Sequence, residues 1–293
     1  MPNVRISEKM PYASKYAEVY DSRMHYLEAG TGDPILFLHG VPTSSYIWRN
    51  VIPYLSSLGR CIAPDLIGFG QSDKPKIEYT VFDHIKYIDK FIETLGLKNI
   101  TLVMHGWGSV IGFNYAMHNE NNCHGLAFYE AFLRSANQEI ALPYQEQLTD
   151  LLDQADIADI AAGGTTYIDK IIAQSAIQQL SEEEMQQYRQ PFANEGSGKP
   201  ILQYLLDLPK GDKQSEVDEL IAQYSKKLTK SKLPKLLLYS VPGFVMTIAS
   251  VMWAKEHLPN LEIVEVGEEL HLAPESCPQL IGESISVWMQ GFE

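Results

Sequence analysis

Apolar and polar positions recur with two different periods along this chain, and the switch between them divides it into three stretches. Up to about residue 131, short apolar runs alternate with segments of helical spacing. Arg23–Ala29 and Pro34–His39 predict strands. The second carries Ile35-Leu36-Phe37-Leu38, an unbroken apolar run suited to a strand buried on both faces. Ser45–Leu58 predicts a helix opened by the cap cluster Thr43-Ser44-Ser45. Cys61–Ala63 predicts a short strand before a Pro64-Asp65 turn. Phe82–Leu95 places apolar residues at 85, 88, 91, 92 and 95, one face of a helix. Ile100–Met104 predicts a strand, Trp107–Met117 a helix and Gly125–Tyr129 a further strand.

Between about Ala131 and Ser231 the strand signals vanish. Pro143–Leu152 and Tyr167–Gln174 have helical patterns, and Ser181-Glu182-Glu183-Glu184 is a capping box opening another helix. Asn194–Pro200 reads as a loop, and Lys210–Lys232 as a charged, solvated helix with flanking turns. Alternation resumes with strand Lys235–Tyr239, helix Ile248–His257, strand Leu261–Val266 and a closing helix over Pro278–Met289. The pattern predicts an α/β fold, a doubly wound and mostly parallel sheet with a helical insertion. The expected division is a main domain of residues 1–131 and 232–293 and a helical cap of residues 132–231.

Composition narrows the classes. A chain of 293 residues is long enough for one large domain with an insertion. Its net charge of −14 argues against nucleic acid or anionic membrane as a partner. Three cysteines, Cys61, Cys123 and Cys277, have no CxxC spacing and suggest neither a disulfide framework nor a zinc site. No signal peptide and no run of 18 apolar residues is present, so the expectation is a cytoplasmic protein. No nucleotide-binding fingerprint or metal-ligand cluster appears, so no cofactor and no metal are expected.

The candidate chemistry sits at strand ends. In Asn99–Gly112 an apolar strand passes through His105-Gly106-Trp107-Gly108 into a helix. Such a sharp strand–turn–helix corner holds the attacking side chain at its apex in α/β-hydrolases. Here the apex is Gly106, which has no side chain. Glu130 ends the next strand, and His271 lies in the loop after the last one. A late-loop histidine held by a buried acid is the base arrangement of this fold, which makes Glu130–His271 the expected dyad. Backbone N–H groups of Trp107 and Val41 form the expected oxyanion hole. His39 and His105 are expected to hydrogen-bond loop backbone, with His39 also counted beside Val41 and Trp107 at the oxyanion hole or pocket, and the Trp107 indole is either a further donor or wall packing. Ser109 is three residues along the helix from the apex and outside any GxSxG motif, so it is not expected to attack. Glycine also relieves strain at such a corner, so Gly106 alone fits a decayed enzyme equally.

Four stretches carry a family resemblance: His39–Asn50, Ala63–Pro75, His105–Ser109 and Leu180–Phe192. From about Tyr16 onward the chain resembles haloalkane dehalogenases. It is most similar to the subfamily whose acid follows the elbow helix, a group that includes a coelenterazine luciferase. The resemblance implies an Asp nucleophile at the elbow, a halide held by a Trp and an Asn, and a His that activates water on the alkyl-enzyme ester. Carried over, Trp107 matches the Trp, Glu130 the acid and His271 the base. Gly106 stands where the nucleophile belongs, and Val41 where the halide-binding Asn belongs. The reading is a non-covalent acid–base catalyst (lyase, isomerase, cyclase or direct water-attack hydrolase) acting on a small apolar molecule. Two alternatives stay open: a dehalogenase inactivated at its nucleophile, and a non-catalytic small-ligand binding protein. Phe132, Leu142, Ile168, Phe192, Leu205, Leu206, Val245 and Met246 are candidate wall residues.

Overall fold

A computed structural model of the chain describes residues 6–135, 154–209 and 215–292. Its strands are β1 (Ser14–Val19), β2 (Ser22–Ala29), β3 (Pro34–Leu38), β4 (Arg60–Pro64), β5 (Ile100–His105), β6 (Cys123–Tyr129), β7 (Lys235–Tyr239) and β8 (Leu261–Glu265). They form one sheet in the order β1-β2-β4-β3-β5-β6-β7-β8. The first pairings, β1 with β2 and β2 with β4, are antiparallel, and the rest are parallel. Every residue of β3 and β5 is buried, as their unbroken apolar runs require of strands covered on both faces.

Strand order reverses beside β3, which is flanked by β4 on one side and β5 on the other. The crevice beyond the carboxyl ends of β3 and β5 is therefore the topological switch point, where open α/β sheets bind ligands. Helix α1 (Val81–Thr94) starts with a capping box from Thr80 and Asp83. Helix α2 (Trp107–His118) follows β5 and buries every residue from Trp107 to Met117. A Cβ at Gly108 would lie 2.3 Å from the Leu38 carbonyl oxygen, so only glycine lets α2 approach β3 this closely.

Between β6 and β7 the described residues contain helices and no strand: α3 (Gln154–Ala162), α4 (Thr165–Ser175), α5 (Glu182–Arg189), α6 (Lys199–Leu206) and α7 (Glu216–Leu228). The capping box at Ser181 and Glu184 opens α5 as its sequence predicts. The expected helix over Pro143–Leu152 lies outside the described residues. Buried Arg49 ties this region down. Its guanidinium donates at 2.7 Å to Glu184 of α5 and at 2.7 Å to Glu275 beyond the last strand. After β7 come α8 (Ile248–His257), the short α9 (Ala273–Ser276) and α10 (Pro278–Gln290).

Two expectations need correction. Ser45–Leu58 is two 3-10 turns, Ser45–Trp48 and Ile52–Tyr54, joined by bends. Pro53 removes a backbone donor within the stretch, and residues 45–52 are all buried, so that part has no solvent-facing helical side. The expected loop over Asn194–Pro200 ends early, because α6 starts at Lys199 with Pro200 in its first turn. Strand β1 has no counterpart in the sequence pattern read above.

Candidate active site

Each of the three expected positions lies at the carboxyl end of a strand or in the loop that follows one. Gly106 joins β5 to α2 with φ 51° and ψ −126°, a conformation that costs a residue with a Cβ about 1–3 kcal/mol. Glu130 follows β6, also at positive φ, 50°. His271 lies beyond β8 and is 8% exposed.

The imidazole of His271 donates from Nδ1 to Glu130 Oε2 at 3.1 Å. The Glu130 carboxylate also accepts backbone N–H groups of Phe244 (3.0 Å), Val245 (2.5 Å) and Met246 (3.3 Å). Such a set fixes the plane of the carboxylate, which in turn fixes the ring it holds. Tyr129 donates to the Leu270 carbonyl, and Leu272 N donates to Ser175 O at 2.9 Å, so the loop is held on both sides of His271. Behind it, His105 Nε2 donates to the His271 carbonyl at 2.8 Å. Burial pushes the His105 pKa well below its ordinary value, and the adjacent His271 adds to that shift. His105 is therefore a neutral prop.

The other ring nitrogen, His271 Nε2, has no hydrogen-bond partner among the described residues, and a Cβ at position 106 would stand 3.1 Å from it. The free nitrogen thus faces the apex of the elbow. Backbone N–H groups of Val41 and Trp107 also have no acceptor among the described residues. Ser109 is fully engaged: its hydroxyl donates to Gly106 O at 2.6 Å and accepts from Phe132 N at 3.0 Å. It cannot serve as a replacement nucleophile without losing both bonds.

These groups form the floor of a cavity with about 660 Å³ of unfilled space, its mouth included. Val41, Gly106, Trp107 and His271 make the floor, with Phe132, Phe244 and Val245 beside them. Ile171, Ile172, Ser175, Ile201, Tyr204 and Leu205 come from α4 and α6 above. Among the described residues no Asp, Glu, Lys or Arg side chain lines it, so its preference is for a neutral, largely apolar guest.

His39 is not part of this wall. Its Nδ1 donates to Gly40 O at 2.7 Å and its Nε2 accepts from Leu66 N at 2.9 Å, which uses both nitrogens on loop backbone. Of the candidate wall residues, Phe132, Leu205 and Val245 line the cavity. Leu206 points outward at 62% exposure, whereas Ile168, Phe192 and Met246 are buried elsewhere, and Leu142 lies outside the described residues. Missed were Tyr204, whose ring lies 4.8 Å from that of Trp107, and the α4 pair Ile171 and Ile172. The spacing of Ile168, Ile171, Ile172 and Ser175 along one helical face was the available signal.

No group of three His, Cys, Asp or Glu residues is placed to hold a metal ion among the described residues, and no described helix is long and apolar enough to cross a membrane. Comparison with known proteins bears on the family. Residues 33–197 match the family model for the alpha/beta hydrolase fold. A haloalkane dehalogenase of Mesorhizobium japonicum is 34% identical over 92% of this chain and 89% of its own length. One of Agrobacterium fabrum is 32% identical over 97% of this chain and 96% of its own. Among solved structures, the haloalkane dehalogenase DbeA from Bradyrhizobium elkani superimposes with a TM-score of 0.88 at 33% identity, covering 96% of this chain and 98% of that one. With relatives this similar across nearly its whole length, the chain belongs to the haloalkane dehalogenase family of α/β-hydrolase-fold proteins.

Proposed function

We propose that this protein is a general acid–base catalyst without a covalent intermediate, acting on a small, neutral, largely apolar molecule in the cavity beneath a helical cap of residues 132–231. The observation that carries the reading is the free Nε2 of His271 facing Gly106, with Glu130 fixed behind the ring. In the family pattern a carboxylate occupies the elbow, and glycine leaves room there for a water within reach of Nε2. His271 takes a proton from that water, or from a carbon beside a carbonyl. The resulting imidazolium is stabilised by Glu130. Negative charge developing on a substrate oxygen is met by the N–H groups of Val41 and Trp107, worth about 3–4 kcal/mol each where aligned. No atom of residue 106 can form an ester with the substrate.

The test is a panel of neutral esters, lactones and epoxides assayed against the protein, His271→Ala and Glu130→Gln. Turnover is expected to fall by about 10²–10⁴-fold in His271→Ala. Unchanged turnover in both variants rejects the role. A second reading draws on the relatives' names, since they are haloalkane dehalogenases. Under it, Gly106→Asp alone restores halide release from alkyl halides. If restoration also requires Val41→Asn, the pocket has diverged beyond a single lost side chain. The new Cβ must be accommodated 3.1 Å from His271 Nε2, so Gly106→Asp is expected to destabilise the fold while it restores chemistry.

A further inference from the structure

One property of the floor goes beyond a water and a base. Val41, Trp107 and His271 line the space beside Gly106, and among the described residues no acidic side chain does. Trp107 begins α2, a helix of 12 residues whose N-terminus carries partial positive charge. Its N–H and that of Val41 are unpartnered among the described residues. Nine-tenths buried, His271 aims its free Nε2 at the same place. The Glu130 carboxylate lies behind the ring and is taken up by Nδ1 and three backbone N–H groups. Helix N-termini with free N–H groups hold anions.

The geometry points to a subsite beside Gly106 for a small free monocarboxylate, formate above all, that serves as a separate nucleophile for the substrate held in the apolar cavity. The inference rests on the reading of Gly106 as a vacated elbow. It makes the protein a carboxylate-dependent enzyme whose attacking atom arrives with a second substrate.

Size sets the preference. A covalently attached carbon stands about 1.5 Å from Cα. An unbonded carbon needs about 3.5 Å, so a free acid sits higher than a side chain would. Formate still fits. The methyl of acetate either meets His271 Nε2 and Gly40 Cα, which lie 3.1 and 3.4 Å from the Cβ position, or intrudes on the space of the second substrate. Longer acids intrude further.

The chemistry balances. A formate oxygen bonds to the electrophilic saturated carbon, the bond to the leaving group breaks, and that group departs with the electron pair. The product is a neutral formyl ester. Neutral His271 takes a proton from water as the hydroxyl adds to the formyl carbon. The carbon–oxygen bond between the formyl carbon and the alkoxy group then breaks, and the departing alkoxide takes that proton back from His271. The formic acid left behind loses its own proton to solvent, which regenerates formate.

The experiment uses the full chain with n-butyl bromide as electrophile and titrates formate, acetate and butyrate against chloride at constant ionic strength. Expected is a saturable rise in bromide release of about tenfold with formate, falling in order through acetate to butyrate. With oxygen-labelled formate, the first butanol formed carries the label. Gly106→Ala is expected to abolish the response, because its Cβ occupies the subsite. The acid-size series on the unaltered chain keeps the test independent of how that variant folds. A non-saturating response equal to that of chloride, or unlabelled butanol, overturns the proposal. If formate changes nothing while ester turnover still depends on His271, the subsite fails and the base reading stands. If formate activates but ester turnover is indifferent to His271, the base reading fails and the subsite stands.

Discussion

Among the described residues two histidine–carboxylate pairs are buried, and they differ in what the second ring nitrogen meets. His25 Nδ1 lies 2.7 Å from Asp65 Oδ2, a closer contact than the 3.1 Å of His271 and Glu130. Asp65 further accepts the N–H groups of Ser45 (2.7 Å) and Gln71 (2.8 Å), much as Glu130 accepts three of its own. By pair geometry alone the two are equivalent. Yet His25 Nε2 is enclosed in the protein with no partner, while His271 Nε2 opens onto the cavity floor at Gly106. The first pair fastens the loops after β3 and β4. The second aims a ring at a guest. A dyad becomes chemistry only where a cavity gives it something to act on.

Several measurements break or sharpen this contrast. The largest expected effect is on turnover. On the proposed function, His271→Ala is expected to slow the reaction by up to about 10⁴-fold, roughly 5.5 kcal/mol of barrier, while its melting temperature stays close to that of the unaltered protein. The corresponding change in the other pair, Asp65→Ala, is expected to cost about 3–5 kcal/mol of folding stability in denaturant titration. Turnover per folded molecule should survive. If Asp65→Ala abolished turnover without loss of stability, the distinction between the pairs would be wrong.

Acid comes next. Burial works against a charged Asp65, but the hydrogen bond and charge of His25, with the Gln71 N–H, outweigh it and hold the carboxyl below its ordinary pKa. Folding therefore binds this group's proton less tightly than the unfolded chain does. The resulting stability is complete above the unfolded value of about 3.9 and is lost as pH falls through the lower folded value. Thermal melts from about pH 5 down to about pH 2 should show a steeper loss for the unaltered chain than for Asp65→Asn, most of it below about pH 3.9. The smallest effect belongs to Ser109→Ala, which removes the bonds to Gly106 O and Phe132 N. It is expected to cost about 1–3 kcal/mol of stability and to leave turnover nearly intact. A loss as large as that of His271→Ala would reinstate Ser109 as a participant.

The site was unevenly legible. The corner at Gly106 could be read because an apolar strand, a Gly-rich turn and a helix follow one another within a few residues. Glu130 and His271 could be read because each ends or follows a strand of the alternating pattern. Ser45–Leu58 misled because its apolar residues suit a helix, yet residues 45–52 are all buried and the segment folds as 3-10 turns around Pro53. The pairing of His25 with Asp65, which the sequence shows only as part of a turn, was not legible, because nothing local joins residues 40 positions apart. Tyr204 went unnoticed because its partner Trp107 is nearly a hundred positions away.

The amino-acid sequence by itself determined the alternation of strands and helices, the absence of any side chain at 106 and the acid and base at their strand ends. Each of these depends on residue type and on neighbours within a few positions. Tertiary structure alone decided that the free nitrogen of His271 faces Gly106, and which faces of α4 and α6 close the cavity. Those outcomes depend on contacts between segments far apart in the chain, where a side chain's role is set by what packs against it rather than by what precedes it.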